Sequence, residues 1–154
     1  FELIGWVVGI YGFVWGGAQF FTGRLSDRIG RQRPIVWGMW LCAAGVACMP
    51  VAQGRWWWGG SAAVTGLGMA LLYPNLSAAV ADIAHPNWRG SAIGIYRFWR
   101  DLGYGIGALA LGLVAQLSGR LEAGLWLVVI AMLLSGLAVH LWGEETHPQL
   151  NPAR

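Results

Sequence analysis

The sequence is poor in charge and contains no lysine. Only 11% of its 154 residues are charged, whereas a soluble domain carries about 25%. A surface that faces water on every side cannot be built from so few charged groups. The composition therefore excludes an ordinary soluble domain and predicts an integral membrane protein.

Cysteine and histidine are also scarce. Cys42 and Cys48 are the two cysteines, and they lie within one apolar stretch with no metal-ligand spacing around them. We expect both to be buried, reduced thiols. Of the three histidines, His85 and His147 lie in loops without a triad or ligand pattern, and His140 lies near the end of an apolar stretch. We therefore expect no catalytic residue, no metal and no cofactor.

Basic charge comes from arginine alone. The net charge is +3, but the arginines gather at the ends of apolar segments and do not spread over a solvated face. This distribution argues against nucleic acid as a partner.

Apolar residues are abundant and form runs long enough to cross a bilayer. They make up 56% of the chain, which also has 24 glycines and 11 tryptophans. Glycine is frequent where helices pack in lipid, and tryptophan where spans end. At about 1.5 Å per residue, five runs can cross a ~30 Å core. The predicted fold class is all-α, a polytopic membrane helix bundle of five transmembrane helices within residues 1–142, with spans at about 3–21, 34–52, 58–83, 91–117 and 124–142.

The arginines predict the orientation of these spans. Arg55 and Arg120 alone lie in the loops after spans two and four. The loops after spans one and three, together with the polar tail 143–154, hold six others: Arg24, Arg28, Arg31, Arg33, Arg89 and Arg154. The positive-inside rule then places the N-terminus outside and the tail in the cytoplasm. We expect the tail to be disordered and the membrane to be the plasma (inner) membrane. An odd span count, and a first residue that is Phe1, predict a fragment that lacks at least one preceding helix.

The densest charge lies between the first two spans, in the segment from Gly23 to Pro34. It holds four of the ten arginines and has the spacing Gly-x-x-x-Asp-Arg-x-Gly-Arg. Topology requires only the positive charge, not Asp27 or the glycines. Glycines allow a tight turn, and Asp27 can pair with Arg31 or with a helix N-terminus.

This segment resembles a cytoplasmic loop motif of the major facilitator superfamily. That motif connects the family's second and third helices and, in weaker form, its eighth and ninth. The matching positions are Gly23, Asp27, Arg28, Gly30 and Arg31. The family usually continues with two basic residues, whereas here Gln32 precedes Arg33.

The resemblance extends over essentially the whole chain. Gly66-Leu67-Gly68 with Tyr73-Pro74-Asn75 is similar to the fourth or tenth helix of such transporters, and Arg89-Gly90 to the start of the fifth or eleventh. The chain then corresponds to helices two to six or to helices eight to twelve. The polar ending Glu144–Pro148 favours the second placement, because it looks like the tail after a last helix.

The resemblance implies secondary active transport of a small solute by alternating access. The motif would act as a cytoplasmic latch, and the implied partners are the lipid bilayer, the solute, a coupling proton and the missing half of the transporter. Segment 103–112 lacks the proline of the Gly-Pro motif that proton-coupled drug exporters carry in their fifth helix, which places drug antiport in doubt. The alternatives are an integral membrane enzyme, an assembly protein, or a transporter fragment without activity of its own.

A second group of charges lies in the fourth span. Arg97, Arg100 and Asp101 share one helix face about 9–15 Å into the span, where an unpaired charge costs about 2.5–3.5 kcal/mol. This spacing allows Asp101 to pair with Arg97. Two interpretations stay open: a translocation path that binds an anionic substrate or assists proton coupling, or a salt-bridged cluster at the cytoplasmic rim, positioned by Tyr96 and Trp99.

Smaller signals complete the set of candidates. Asn75, beside a proline within the third span, is a further candidate for the translocation path. Three glycines of the fourth span have the small-residue spacing of close helix contacts, which predicts a packing role for Gly103, Gly107 and Gly112.

Overall fold

The computed structural model describes residues 2–148 and 150. This part of the chain consists of five α-helices joined by short connections, with no β-strand. In chain order they are α1 (Glu2–Ile29), α2 (Gln32–Cys48), α3 (Arg55–Ile83), α4 (Arg89–Ser118) and α5 (Leu121–Trp142), and a 3₁₀ helix, Pro86–Trp88, leads into α4. The predicted all-α bundle is confirmed.

Four helices of the described chain are long and apolar enough to cross a membrane. They are α1, α3, α4 with the 3₁₀ turn before it, and α5. Helix α2 has 17 residues and therefore spans only about 26 Å. It ends at Cys48, before the predicted limit at residue 52, because the chain leaves the helix through a turn at Met49.

The segment that was predicted to be a basic turn is largely helical. Helix α1 continues to Ile29, and the reversal is confined to Gly30 and Arg31. Gly30 supplies the backbone geometry for it, with φ at +93°, and its N–H donates to the Ser26 carbonyl at 3.0 Å. Gly23 remains helical with open space around it, so only one of the two motif glycines makes the turn.

Helix α3 is the centre of the bundle and packs along both α1 and α2. At the α2–α3 crossing a Cβ atom on Gly68 would lie 2.8 Å from the Gly38 carbonyl oxygen and 2.7 Å from the Cys42 nitrogen. The two backbones touch at this point, an approach that small residues permit. Around it lie the most buried apolar side chains, including Cys42, Ala43, Ala62 and Ala70.

The outer helices leave a cleft. Helix α4 packs on α5 and lightly on α3, and it contains no buried residue. Helix α1 buries only Thr22 and Ser26. Within the described chain the backbones of α1 and α4 do not approach each other, and both helices pack on α3. The surface of α3 between them is the α1–α4 cleft.

Candidate functional site

Arg31 joins the ends of three helices. Its Nη1 donates to Asp27 Oδ1 at 3.0 Å and to Ser26 Oγ at 2.5 Å, both on α1. Its Nε donates to Asp82 Oδ2 at 3.1 Å, in the last turn of α3. A planar guanidinium, with five donors in a fixed fork, can serve three acceptors at once. Arg31 therefore holds the ends of α1 and α3 at the start of α2.

The two carboxylates of this network are not equivalent. The side chain of Asp27 is 65% exposed, and that of Asp82 is 18% exposed. An exposed ion pair contributes about 0.2–1 kcal/mol, whereas a hydrogen bond to a charged group contributes about 1.5–3 kcal/mol. The predicted Asp27–Arg31 pair is present, but Asp82, which the sequence did not single out, makes the more protected contact.

Glu145, beyond the end of α5, occupies the N-terminus of α2. Its carboxylate accepts the N–H of Arg31 at 2.8 Å, of His147 at 2.9 Å and of Gln32 at 3.3 Å. The first N–H groups of a helix lack partners within the helix and carry partial positive charge, so a carboxylate is favoured there. A Cβ atom on Gly30 would collide with this carboxylate.

The hydrogen bonds to Glu145 also set its protonation. Partial burial acts to raise the pKa of the carboxyl, but the backbone hydrogen bonds from Arg31, His147, Gln32 and Thr146 outweigh it, and the net pKa is lowered from its ordinary value. A lowered folded-state pKa stabilises the docked state above the unfolded pKa, and this contribution is lost as the pH falls through the lowered pKa. The contact is therefore fully present at neutral pH.

Gln32 makes the reciprocal connection to α5. Its Nε2 donates to the carbonyls of Val139 at 3.0 Å and Gly143 at 2.8 Å. The residue that interrupts the family's basic pair thus caps the end of α5. Glu145 thus anchors the start of the tail, which the sequence predicts to be disordered, to the start of α2. Positions 149 and 151–154, including Arg154, lie outside the described residues.

A second polar cluster lies where α4 faces α3. Arg100 donates to Asp101 Oδ1 from Nη2 at 2.7 Å and from Nε at 2.8 Å. The guanidinium carbon lies 5.0 Å from the ring centre of Tyr73 on α3 and 5.9 Å from that of Tyr96. Both distances are within range of a cation–π interaction. The aromatic faces hold Arg100 against α3 while the Asp101 side chain stays 60% exposed.

Asp101 pairs with Arg100 and not with Arg97, the partner that the spacing allows. Arg97 makes no ion pair or hydrogen bond with any residue in the described part of the chain. Asn75 is only 1% exposed and donates to the Leu71 carbonyl of its own helix at 2.5 Å. It is enclosed by the bundle and does not lie in the open cleft with Arg100.

A row of aromatic rings extends this cluster across the floor of the cleft. Trp15 on α1 packs edge-on against Tyr73 with ring centres 5.7 Å apart, and Tyr11 lies 5.7 Å from Trp15. The Trp15 indole N–H is buried and has no hydrogen-bond partner among the described residues. The sequence analysis did not identify Tyr73 and Trp15 as site residues. The signal that could have found them is that both are amphipathic aromatic side chains well inside predicted spans.

The packing role predicted for three glycines of α4 has no partner among the described residues and stays a prediction. A Cβ atom on Gly103, Gly107 or Gly112 would meet no described atom within 4 Å. Close approach belongs instead to glycines of the central and outer seams, among them Gly38, Gly45, Gly66, Gly68 and Gly136. The α4 glycines lie on the open side of the bundle.

The family model for the Major Facilitator Superfamily matches residues 1–154. The chain belongs to this superfamily. The resemblance that the motif carried is confirmed.

Curated relatives of this superfamily member include the "Multidrug resistance protein MdtH" of Salmonella newport and that of Salmonella agona. Each is 31% identical over 146 residues, which cover 94% of this chain and 36% of the relative. The chain thus spans about a third of the length of the curated relatives it matches.

Solved structures show the same architecture. A crystal structure of the peptide transporter POT in complex with sulfate has a TM-score of 0.75 and 28% identity, covering 92% of this chain and 29% of that one. A mutant of peptide transporter POT in complex with alafosfalin has a TM-score of 0.73 and 27% identity, covering 92% and 30%. With the four long apolar helices, these likenesses support an integral membrane protein.

Proposed function

We propose that this superfamily member forms helices eight to twelve of a secondary active transporter. The transporter moves a small solute across the membrane by alternating access, in which one helix bundle rocks against the other. The Arg31 network carries the proposal, because it links the ends of three helices by polar contacts that can break and re-form as a bundle moves. The open α1–α4 cleft supports a second bundle facing it, so the chain alone is expected not to transport.

The proposed orientation puts the Arg31 network in the cytoplasm and the N-terminus outside. The support is the excess of arginine at that end of the bundle, on the loops after α1 and α3. The proposed location is the plasma (inner) membrane. The partners are the bilayer, the solute, the other half of the transporter and a coupling proton.

We propose that Asp27 acts in a second conformation, and Asp27→Asn is expected to lower transport several-fold with normal folding. In the present conformation Asp27 accepts through Oδ1 alone and is mostly exposed, so its pair with Arg31 adds only about 0.5 kcal/mol. The measurement is the initial rate of uptake by the complete transporter in proteoliposomes. Asp27→Glu, which keeps the charge, serves as the control. Unchanged uptake by well-folded Asp27→Asn protein would show that the latch role is wrong.

We propose that the cleft cluster contacts the solute. Arg100 retains N–H donors that Asp101 does not use, so it can bind an anionic group beside the rings of Tyr73 and Trp15. The names of the similar proteins indicate drugs in one case and peptides in the other, so the proposed solute is a small organic molecule. Arg97 on the same face extends the proposed path.

Arg100→Ala is expected to reduce transport by at least tenfold, because it removes the charge from the aromatic platform. Arg89→Ala, at the start of the same helix, is the matched control and is expected to transport normally. The measurement is the transport rate divided by the amount of protein in the membrane. A loss of membrane-inserted protein with an unchanged rate per molecule would favour the salt-bridged structural role instead.

A further inference from the structure

We propose that the outer seam between α2 and α5 binds the headgroup of an anionic phospholipid of the arginine-rich leaflet. The phosphate would pair with Arg33, and the glycerol and upper acyl chain would lie against Trp37 and Trp40. The proposal rests on the chain's place in a bilayer and not on transport.

The seam contains a cleft of the required size and chemistry. Its volume is about 310 Å³, and its lining includes Arg33, Trp37, Trp40 and His140. A second cleft of about 350 Å³ adjoins it and shares Arg33 and Gln32. Arg33 thus lies where the two clefts meet: the second is at the polar end of the bundle, and the first runs along α2. Basic pockets between membrane helices are typical sites for anionic headgroups.

Arg33 is available for such a ligand. Its neighbour Arg31 is fully engaged by Ser26, Asp27 and Asp82. Arg33 is exposed and makes no hydrogen bond or ion pair with any residue that the structure describes. The carboxylate of Glu145 lines the second cleft with Arg33 and accepts hydrogen bonds from the backbone N–H groups of Arg31 and Gln32. A guanidinium fork suits the two oxygens of a phosphate.

The order of side chains along α2 matches the order of groups in a phospholipid. By helical rise, Trp37 and Trp40 lie about 6 Å and 11 Å deeper than Arg33. The polar headgroup layer of a bilayer is only several ångströms thick on each side. A phosphate at Arg33 therefore places the two indoles at the headgroup–acyl boundary, where tryptophan is enriched.

The cleft is held open by packing that does not depend on a ligand. Gly136 on α5 lies so close to Trp40 that a Cβ there would be 2.6 Å from the indole Nε1. The His140 ring centre lies 6.0 Å from that of Trp40. Trp37 is 46% exposed and Trp40 is 38% exposed, so both rings stand at the mouth of the slot.

The test is a titration of the purified, delipidated protein with phosphatidylglycerol, followed by native mass spectrometry. Arg33→Gln is expected to raise the apparent Kd about tenfold, which corresponds to the loss of about 1.4 kcal/mol of charge-assisted hydrogen bonding to the phosphate. Arg89→Gln removes the same charge at the same end of the bundle but away from the cleft. It is expected to change the Kd by less than about twofold.

Two further arms separate the lipid from other sources of phosphate. Phosphatidylcholine is expected to bind more weakly than phosphatidylglycerol, and Trp37→Leu is expected to weaken lipid binding while leaving any binding of inorganic phosphate unchanged. Equal effects of Arg33→Gln and Arg89→Gln would overturn the proposal, since they would indicate general charge attraction. Displacement of the lipid by millimolar inorganic phosphate would overturn it in favour of a free anion.

Discussion

Gly68→Ala is expected to destabilise the folded bundle by about 3 kcal/mol, at the upper end of the range for overpacking. The added methyl group would lie 2.7 Å from both the backbone nitrogen and the sulphur of Cys42, and 2.8 Å from the Gly38 carbonyl oxygen. Two of these three atoms are backbone, so no change of rotamer can relieve the overlap. Helices α2 and α3 would have to separate along the seam that contains the core of the molecule.

The matched control is Gly60→Ala on the same helix. A Cβ atom at Gly60 meets nothing within 4 Å, so this variant is expected to unfold at the wild-type midpoint. The measurement is the thermal unfolding midpoint in detergent together with the yield of monodisperse protein. Equal midpoints for Gly68→Ala and Gly60→Ala would contradict the backbone contact between α2 and α3.

The sequence predicted the helices well because hydropathy and the bilayer thickness constrain them directly. The third span, predicted to end at residue 83, ends at Ile83 in the structure. The predicted helix ends differ from the observed ones where polar residues continue a helix. Helix α1, for example, runs beyond the predicted end at residue 21 to Ile29. Hydropathy marks the edge of the lipid, whereas backbone hydrogen bonding decides where a helix ends, and the two differ by more than a turn at this point.

The sites were predicted less well, since contacts between helices leave no trace in local spacing. The Asp27–Arg31 pair was predictable because the two residues lie only four positions apart in the sequence. Asp82 lies 51 positions from Arg31 and Glu145 lies 114 positions from it, so only the tertiary fold brings them together. For the same reason the sequence did not predict the contact of Arg100 with Tyr73, which belongs to another helix. The spacing of the α4 glycines likewise indicates a close helix contact but does not show which helix makes it.

Arg31→Met is expected to lower the free energy of unfolding by about 2–3 kcal/mol. The change leaves Asp82, which is 18% exposed, without its cation, and removes the donor to the fully buried hydroxyl of Ser26. Loss of one partner from a buried ion pair costs about 3–5 kcal/mol, and partial solvent access to Asp82 reduces that figure. Arg28→Met is the matched control, since Arg28 is exposed and makes no hydrogen bond or ion pair within the described residues.

A double-mutant cycle assigns the loss to its cause. If the unpaired carboxylate dominates, Asp82→Asn in the Arg31→Met background should recover stability, because a neutral amide has a smaller desolvation cost. Asp27→Asn in the same background should recover nothing, since the Asp27 side chain is 65% exposed and solvated without Arg31. Equal midpoints for Arg31→Met and Arg28→Met would refute the structural role of the network. Recovery by Asp27→Asn instead of Asp82→Asn would show that the stabilising contact of Arg31 is with Asp27 on α1 and not with Asp82 on α3. The cycle therefore separates the contact that holds this conformation, Arg31 to Asp82, from the exposed carboxylate that we propose acts in the other one.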